Sequence, residues 1–479
     1  MAVSGILRMF RPKEKHDVDM TEGSILRHLL IFAFPLLIGN IFQQLYNMVD
    51  TWVVGNFVSN EAYSAVGSVG PIINMLIGFF GGLSGGAGAV ISQYYGARQE
   101  KNVQRTVHTA MTMTLVMGVL FTAIGIAVTP FMLRMMNTPD EVFGQSQTYL
   151  TVYFAGIMGL MIYNIGSGIL RAVGDSTRPF YFLVVSALLN TVLDLFFVLG
   201  LNMGVEGVAF ATILAQGVSA VLVIITLMRT TSCIRFSFRQ LNFELDIFAK
   251  ILKVGLPSAL QMAVTSFSNV FVQSYINQFG PDGMSGWTSY AKIDQLILLP
   301  MQSVSLASTT FVAQNLGSRQ PERAKKGVRT ALLLSFGSVL ILMLPVMLFA
   351  PSMVAFFNSR EEVVVIGALL LRFITPFYLL CCINQIYAGA LRGAGDSLVP
   401  MITMLVSFVA FRQLMLYLLT YHWIPAIAAT MPLTDNARLI ITAMAYPAGW
   451  LLASTLISIY YHVRGFSKSK LIEHEQQPQ

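Results

Sequence analysis

Charge is scarce in this chain. Lysine, arginine, aspartate and glutamate make up 11% of its 479 residues, against about 25% in an ordinary soluble domain. Long segments such as 29–49 carry no charge at all. About 20 such residues are enough to cross a bilayer, whereas a surface helix of a soluble bundle needs a polar face. Cysteine is scarce too. Cys233 lies in a basic loop, and Cys381 and Cys382 lie inside an apolar run, which is neither a disulfide framework nor a metal-ligand pattern. There is no HExxH motif, and the six histidines sit at tails or span edges, apart from His108. An enzyme is therefore not expected, and neither is a cofactor. No short apolar region with a small-residue cleavage site precedes Leu29, so the first apolar run is expected to be a retained helix.

What the chain has in abundance is apolar sequence, 55% of its residues, with a mean hydropathy of +0.66. Apolar spans read at 29–56, 66–92, 106–130, 146–169, 180–200, 205–228, 252–278, 285–314, 328–350, 363–390, 399–423 and 438–462. The loops between them alternate in basic content: one set holds 24 Lys and Arg, the other only Arg134, Arg360 and Arg438. Positive charge stays on the cytoplasmic side. The split therefore predicts a multi-pass protein of the bacterial inner membrane with both termini cytoplasmic, and loops 57–62, 279–284 and 424–436 outside. It also explains the net charge of +7 without nucleic acid.

The chain repeats itself at an offset of 221–222 residues. Pro35 maps to Pro257, Asn47 to Asn269 and Phe57 to Phe279; Gln93, Gly96, Arg98 and Gln99 map to Gln314, Gly317, Arg319 and Gln320. LRAVGDSTRP at 170–179 maps to LRGAGDSLVP at 391–400, with six identities in ten. An offset of six spans is even, so both halves insert in the same orientation, as in parallel-repeat transporters that bind substrate between the repeats. The expected fold is an all-α membrane protein of twelve transmembrane helices. They form two parallel six-helix repeats related by a pseudo-two-fold along the membrane normal. The expected divisions are a cytoplasmic tail over 1–28, an N-lobe over 29–228, a cytoplasmic linker over 229–250, a C-lobe over 251–463 and a cytoplasmic tail over 464–479.

Ionisable groups inside a membrane are functional candidates by default. Asn40, Gln43, Asn47 and Asp50 follow steps of three and four along the first span, so they share one helix face. Asn190 and Asp194 form an i,i+4 pair on the fifth span, as do Thr212 and Gln216 on the sixth. Tyr153, Asn164, Gln261, Asn269 and Asp294 complete the expected cavity set. Tyr163, Phe154 or Tyr387, with methionines, would add an adaptable wall. Asp50 maps to Val272, Asn190 to Phe411, Asp194 to Met415 and Asp294 to Ile72, which suggests ion coupling confined to the first half. In the second half, Asp294 either pairs with Arg412 or faces the cavity. Pro35 is a candidate hinge, since it removes one helical hydrogen bond. In the LRxxGDSxxP loops, Gly is expected to end one helix and Asp or Ser to cap the next.

PLLIGNIFQQLYNMVDTWVVG in the first span, the paired LRxxGDSxxP loops and NTVLDLFFV in the fifth span resemble multidrug and toxic compound extrusion (MATE) transporters. The likeness covers residues 25–465 and is nearer the DinF-like branch than the NorM-like branch. Where the NorM-like branch has a carboxylate in its tenth helix, this sequence has Cys381. The resemblance implies export of amphipathic, often cationic compounds by antiport with Na+ or H+ through alternating access, by a monomer in the lipid bilayer. It also implies a cation site at Asp50, Asn190, Asp194 and Thr212, whose oxygens suit Na+ as a hard cation and could carry protons instead. The alternative cargo is a lipid or lipid-linked oligosaccharide carried by a flippase of the same architecture. That would favour a strongly basic cavity, and the spans offer only Lys292, Arg372 and Arg412.

Overall fold

The structure is a computed structural model that describes residues 18–136 and 138–466. Parts of the two tails read at 1–28 and 464–479 lie outside the described residues. Regular structure is helical, with no strand among the described residues. The first half contains α1 Ile25–Phe57, α2 Asn60–Gly96, α3 Glu100–Met135, α4 Asp140–Ala155, α5 Ile157–Ala172, α6 Thr177–Leu195 and α7 Val205–Arg229. The second half contains α8 Leu245–Ile276, α9 Gly280–Gly317, α10 Pro321–Leu348, α11 Ala350–Phe357, α12 Glu361–Ile374 and α13 Tyr378–Gly393. It ends with α14 Leu398–Met404, α15 Arg412–Leu418, α16 Ile424–Ala428, α17 Asp435–Ala443 and α18 Ala445–Arg464.

Ten stretches are long and apolar enough to cross a membrane, and an eleventh is the α4–α5 pair, bent by 47°. One of the ten, Leu245–Gly317, is 73 residues long. It holds both α8 and α9, which part at a 3-10 turn, Asn277–Phe279, followed by Gly280 at φ +71°. Counting those two separately gives twelve.

Several helices run past the ends read from hydropathy. The loops read at 57–62 and 279–284 shrink because α2 and α9 begin at Asn60 and Gly280, and the loop read at 424–436 loses 424–428 to α16. The linker is likewise shorter than 229–250, running from the end of α7 at Arg229 to the start of α8 at Leu245. Polar residues at a membrane boundary end an apolar run without ending the helix.

The repeat is visible in backbone detail. Arg98 and Arg319 both take positive φ, at 57° and 59°, and Gly174 and Gly395 both take φ +87°. In the first GDS loop, Asp175 accepts from the amides of Thr177 (3.0 Å) and Arg178 (3.1 Å) and pairs with the Arg178 guanidinium. In the second, Asp396 accepts from the amide of Val399 at 3.5 Å and from the Tyr460 hydroxyl at 2.6 Å. Ser176 and Ser397 hold the N-cap positions without a side-chain capping bond, and the preceding aspartates supply the capping carboxylates.

The lobes are joined at the end that carries the basic loops. A Cβ on Gly96 would lie 1.9 Å from the Gln314 carbonyl oxygen, and one on Gly317 would lie 2.0 Å from that of Gln93. Gly82 and Gly86 also admit α8 closely, with an added Cβ 2.4 Å from Ala259 and 2.5 Å from Gly255. The run Gly82-Leu83-Ser84-Gly85-Gly86 has GxSxG spacing, yet it lies within α2, and Ser84 donates to the Asn164 carbonyl at 2.6 Å.

The first helix of each half also crosses over. Leu29, Phe32, Ala33 and Leu36 of α1 are buried against Val304, Phe311 and Val328 of the second half. Ile247, Ile251 and Val254 of α8 are buried with Val107, Ile169 and Val223 of the first. Pro35 stands inside the exchanged part of α1, and the helix continues through it.

Candidate functional site

Three helices of the first half meet around two carboxylates. α1 supplies Asp50, α6 supplies Asn190 and Asp194, and α7 supplies Thr212 and Gln216. Asp194 is fully buried and Asn190 is 2% exposed. The Asp50 and Asp194 carboxyls lie within hydrogen-bonding reach of one another. Beyond that mutual contact, both Asp194 oxygens, Asp50 Oδ1 and both amide atoms of Asn190 are buried with no hydrogen-bond partner among the described residues. Thr212 donates to the Val208 carbonyl at 3.0 Å, so its oxygen acts as an acceptor or ligand, with the Tyr149 hydroxyl within its reach. Asn190, Thr212 and Gln216 line a small void with Tyr46 and Ser186.

Buried polar groups are normally satisfied. A cluster rich in unsatisfied oxygens suits a hard cation, and two facing carboxyls can also share a proton. The chain leaves α-helical geometry right beside this cluster, in a π turn at Phe196–Gly200. Such turns often occur at functional sites.

Tyr46 and Tyr149 lie within electrostatic reach of these carboxylates, and neither was among the expected residues. Tyr46 lies four residues before Asp50, so the same helical spacing that singles out Asn47 would have found it.

The remaining expected residues divide between exposed or half-exposed helix faces and packing. Asn40 donates to the Ser303 hydroxyl of α9 at 3.4 Å, so it joins the two lobes. Gln43 is half-buried and Asn47 is exposed on α1. On α8, Gln261, Thr265, Asn269 and Gln273 recur every four residues and form a second polar ridge. Tyr153 and Phe154 are buried in the apolar core of the first half, so Phe154 does not line a cavity wall. Asn164 donates to the Leu160 carbonyl at 2.9 Å, within its own helix. Tyr163 is tied to the Pro179 carbonyl at 3.2 Å, and Tyr387 stacks on Tyr461 with centroids 4.5 Å apart.

In the second half, the expected Asp294–Arg412 ion pair does not form. Asp294 accepts from the Tyr378 hydroxyl and, at 3.4 Å, from that of Tyr290. Arg412 Nη2 donates to Ser268 Oγ and Asn269 Oδ1, each at 2.9 Å. The Arg412 guanidinium lies over the ring of Tyr446 at 4.6 Å. Sign alone suggested a pair, but the tyrosines and the α8 ridge provide nearer partners. Lys292 lies over the Phe357 ring at 5.4 Å, and Cys381 is buried beside Asp294.

A family profile described as MatE matches residues 35–196 and again 257–418. The two matches are offset by the same 222 residues as Pro35 and Pro257. A probable multidrug resistance protein, YoeA of Bacillus subtilis (strain 168), is 27% identical over 450 residues, covering 92% of this chain and 94% of that protein. A second from the same organism, YpnP, is 28% identical over 394 residues, covering 82% of this chain and 88% of its own length. A solved structure described as the outward-facing conformation of a multidrug resistance MATE family transporter superposes with a TM-score of 0.86 at 24% identity, covering 96% of this chain and all of the other. With both repeats matched in register, the chain belongs to the MatE family.

Proposed function

We propose that this protein is a secondary active multidrug efflux transporter. It exports amphipathic small molecules, often cationic, by antiport with Na+ or H+. The ion enters through Asp50, Asn190, Asp194 and Thr212 of the first half, and the compound passes between the lobes by alternating access. The basic loops lie in the cytoplasm, so the closure at Gly96 and Gly317 seals the cytoplasmic side and the conformation faces outward. The reading is of a transporter, not an enzyme, that works as a monomer in the bacterial inner membrane.

One observation carries this reading. Asp194 is buried at membrane depth with no donor to either oxygen except by way of its contact with Asp50. Holding such a group in an apolar environment is costly unless a cation or proton joins it. The polar ridges on α1 and α8 supply the two walls of a cleft that an amphipathic compound needs.

The test is transport in proteoliposomes. Ethidium efflux is followed under an imposed Na+ gradient and, separately, an imposed proton gradient. Efflux under one gradient and not the other identifies the coupling ion. Efflux under neither, with correctly inserted protein, overturns the reading.

A further inference from the structure

Arg412 is an unusual residue for its surroundings. It is 3% exposed, it lies in a membrane-spanning segment, and its hydrogen-bond partners among the described residues include no carboxylate. Its guanidinium is held by two neutral acceptors, Ser268 and Asn269, and Nε is buried with no partner. A buried charge without a counter-ion is strongly unfavourable, and positive charge at membrane depth marks a site that binds something. Phe408, 5.7 Å away, and Tyr446 stabilise the cation with their ring faces, but neither ring neutralises it. The residue also follows directly on a π turn, Leu405–Phe411, as Asp194 shortly precedes one.

The position is reachable. Asn269 is exposed on the polar ridge of α8, and Tyr446 and Asp294 are half-buried. Tyr446 lies within electrostatic reach of both Arg412 and Asp294. The second half therefore presents a cation stacked on an aromatic ring and a carboxyl within electrostatic reach of that ring, and the two do not pair with each other. Trp287 adds a further aromatic face, 5.4 Å from Tyr446.

We infer that this arrangement is a substrate subsite for zwitterionic aromatic amphiphiles, with the anionic group of the compound on Arg412, its cationic group toward Asp294 and its ring against Tyr446. The inference rests on the exporter reading and narrows its substrate class. A compound that brings its own anion neutralises Arg412, which a purely cationic compound cannot do. Binding of the cation alone would leave the guanidinium uncompensated.

Rhodamine B and its ethyl ester test this directly. They share one xanthylium cation and ring system, and only the former carries a carboxylate. Binding of each to the purified full-length protein in lipid nanodiscs is read by fluorescence polarisation. The wild type should bind rhodamine B about tenfold more tightly than the ester, the range of a hydrogen bond to a charged group. Arg412→Gln should remove that preference by weakening rhodamine B and leaving the ester within about twofold.

Asn269→Asp guards against a folding failure of the first variant. It places a carboxylate where the amide oxygen already contacts the guanidinium, at an exposed position, and should abolish the preference as well. Equal binding of both dyes by the wild type, or an undiminished preference in Asn269→Asp, overturns the subsite and leaves the exporter reading intact. Binding of neither dye overturns the subsite as well, and the exporter reading is then decided by the gradient-driven efflux test.

Discussion

Gln93 and Gln314 occupy the same position in the two repeats, and each hydrogen-bonds across to the opposite half. Gln93 Nε2 donates to the Gly393 carbonyl at 2.8 Å, and Gln314 Nε2 donates to the Ala172 carbonyl at 2.9 Å. Ala172 and Gly393 are themselves repeat mates within the LRxxGDSxxP loops. The residues that look like simple helix stops are thus also the acceptors of a symmetric inter-lobe latch. Met20 adds to it: its amide donates to Gln314 Oε1 at 3.0 Å, and its carbonyl accepts from Asn315 at 3.2 Å. The latch closes the basic end, and it must open for the lobes to rock.

Gln93→Ala combined with Gln314→Ala should therefore favour the opposite conformation. Each net hydrogen bond is worth about 1 kcal/mol, and the double variant removes three, counting the one from the Met20 amide to Gln314, so the equilibrium shifts roughly 150-fold. Spin labels at Lys101 and Lys325, which are exposed on the two lobes at this end, report the change by pulsed electron resonance. A longer distance population should grow in the double variant. An unchanged distribution would deny the latch its role.

Gly96→Ala and Gly317→Ala act on the same seam by sterics. Each new Cβ would fall about 2 Å from the carbonyl oxygen of a repeat-related glutamine, and backbone cannot yield as a flexible side chain can. Overpacking of this kind costs roughly 1–3 kcal/mol. Either variant should lower the thermal stability of the purified protein, and the same change at Gly67, where the added Cβ meets nothing within 4 Å, should not. Equal stability across the three would show that the seam is looser than the geometry indicates.

Asp50→Asn and Asp194→Asn should each reduce gradient-driven efflux by on the order of 100-fold, as expected when a charged partner contributing about 1.5–3 kcal/mol is lost. Expression and insertion should persist, because a neutral amide is easier to bury than a carboxylate. Ethidium efflux from proteoliposomes measures this. Near-normal transport by either variant would remove that residue from coupling.

Much of this was legible in the sequence because membranes impose a simple grammar. Long apolar runs, the basic loop asymmetry and the 222-residue register fixed the spans and their repeat. The polar row from Asn40 to Asp50 was legible because the helical period places those residues on one face. The hand-over of α1 and α8 between lobes was not, since hydropathy records that Leu29 and Phe32 are buried but not against which half. Nor was the fate of Asp294: opposite charge pointed to Arg412, while its actual donors, Tyr290 and Tyr378, are ordinary aromatic residues in apolar runs. Tyr46 shows the difference between absent and unread signals, since its spacing from Asp50 was there to be counted.

Asp294 supplies the sharpest division of labour between the halves. It is the repeat mate of Ile72 and lies in the second half, away from the Asp50–Asp194 cluster. Its Oδ1 accepts from two tyrosine hydroxyls, whereas neither oxygen of Asp194 has a donor from the protein beyond the facing carboxyl. A ligand shifts a two-state transporter only through its different affinities for the two states. For the ion, that difference should arise at Asp50 and Asp194, whose partners can change as α1 moves. Asp294→Asn should then weaken binding of a cationic dye such as ethidium by about tenfold, the lower end for a charged contact, and leave ion binding to the substrate-free transporter unchanged. Calorimetric titration of the purified variants with Na+, or proton release followed with a pH-sensitive dye, measures the second quantity. Loss of ion binding in Asp294→Asn together with its retention in Asp50→Asn would move the coupling site into the second half.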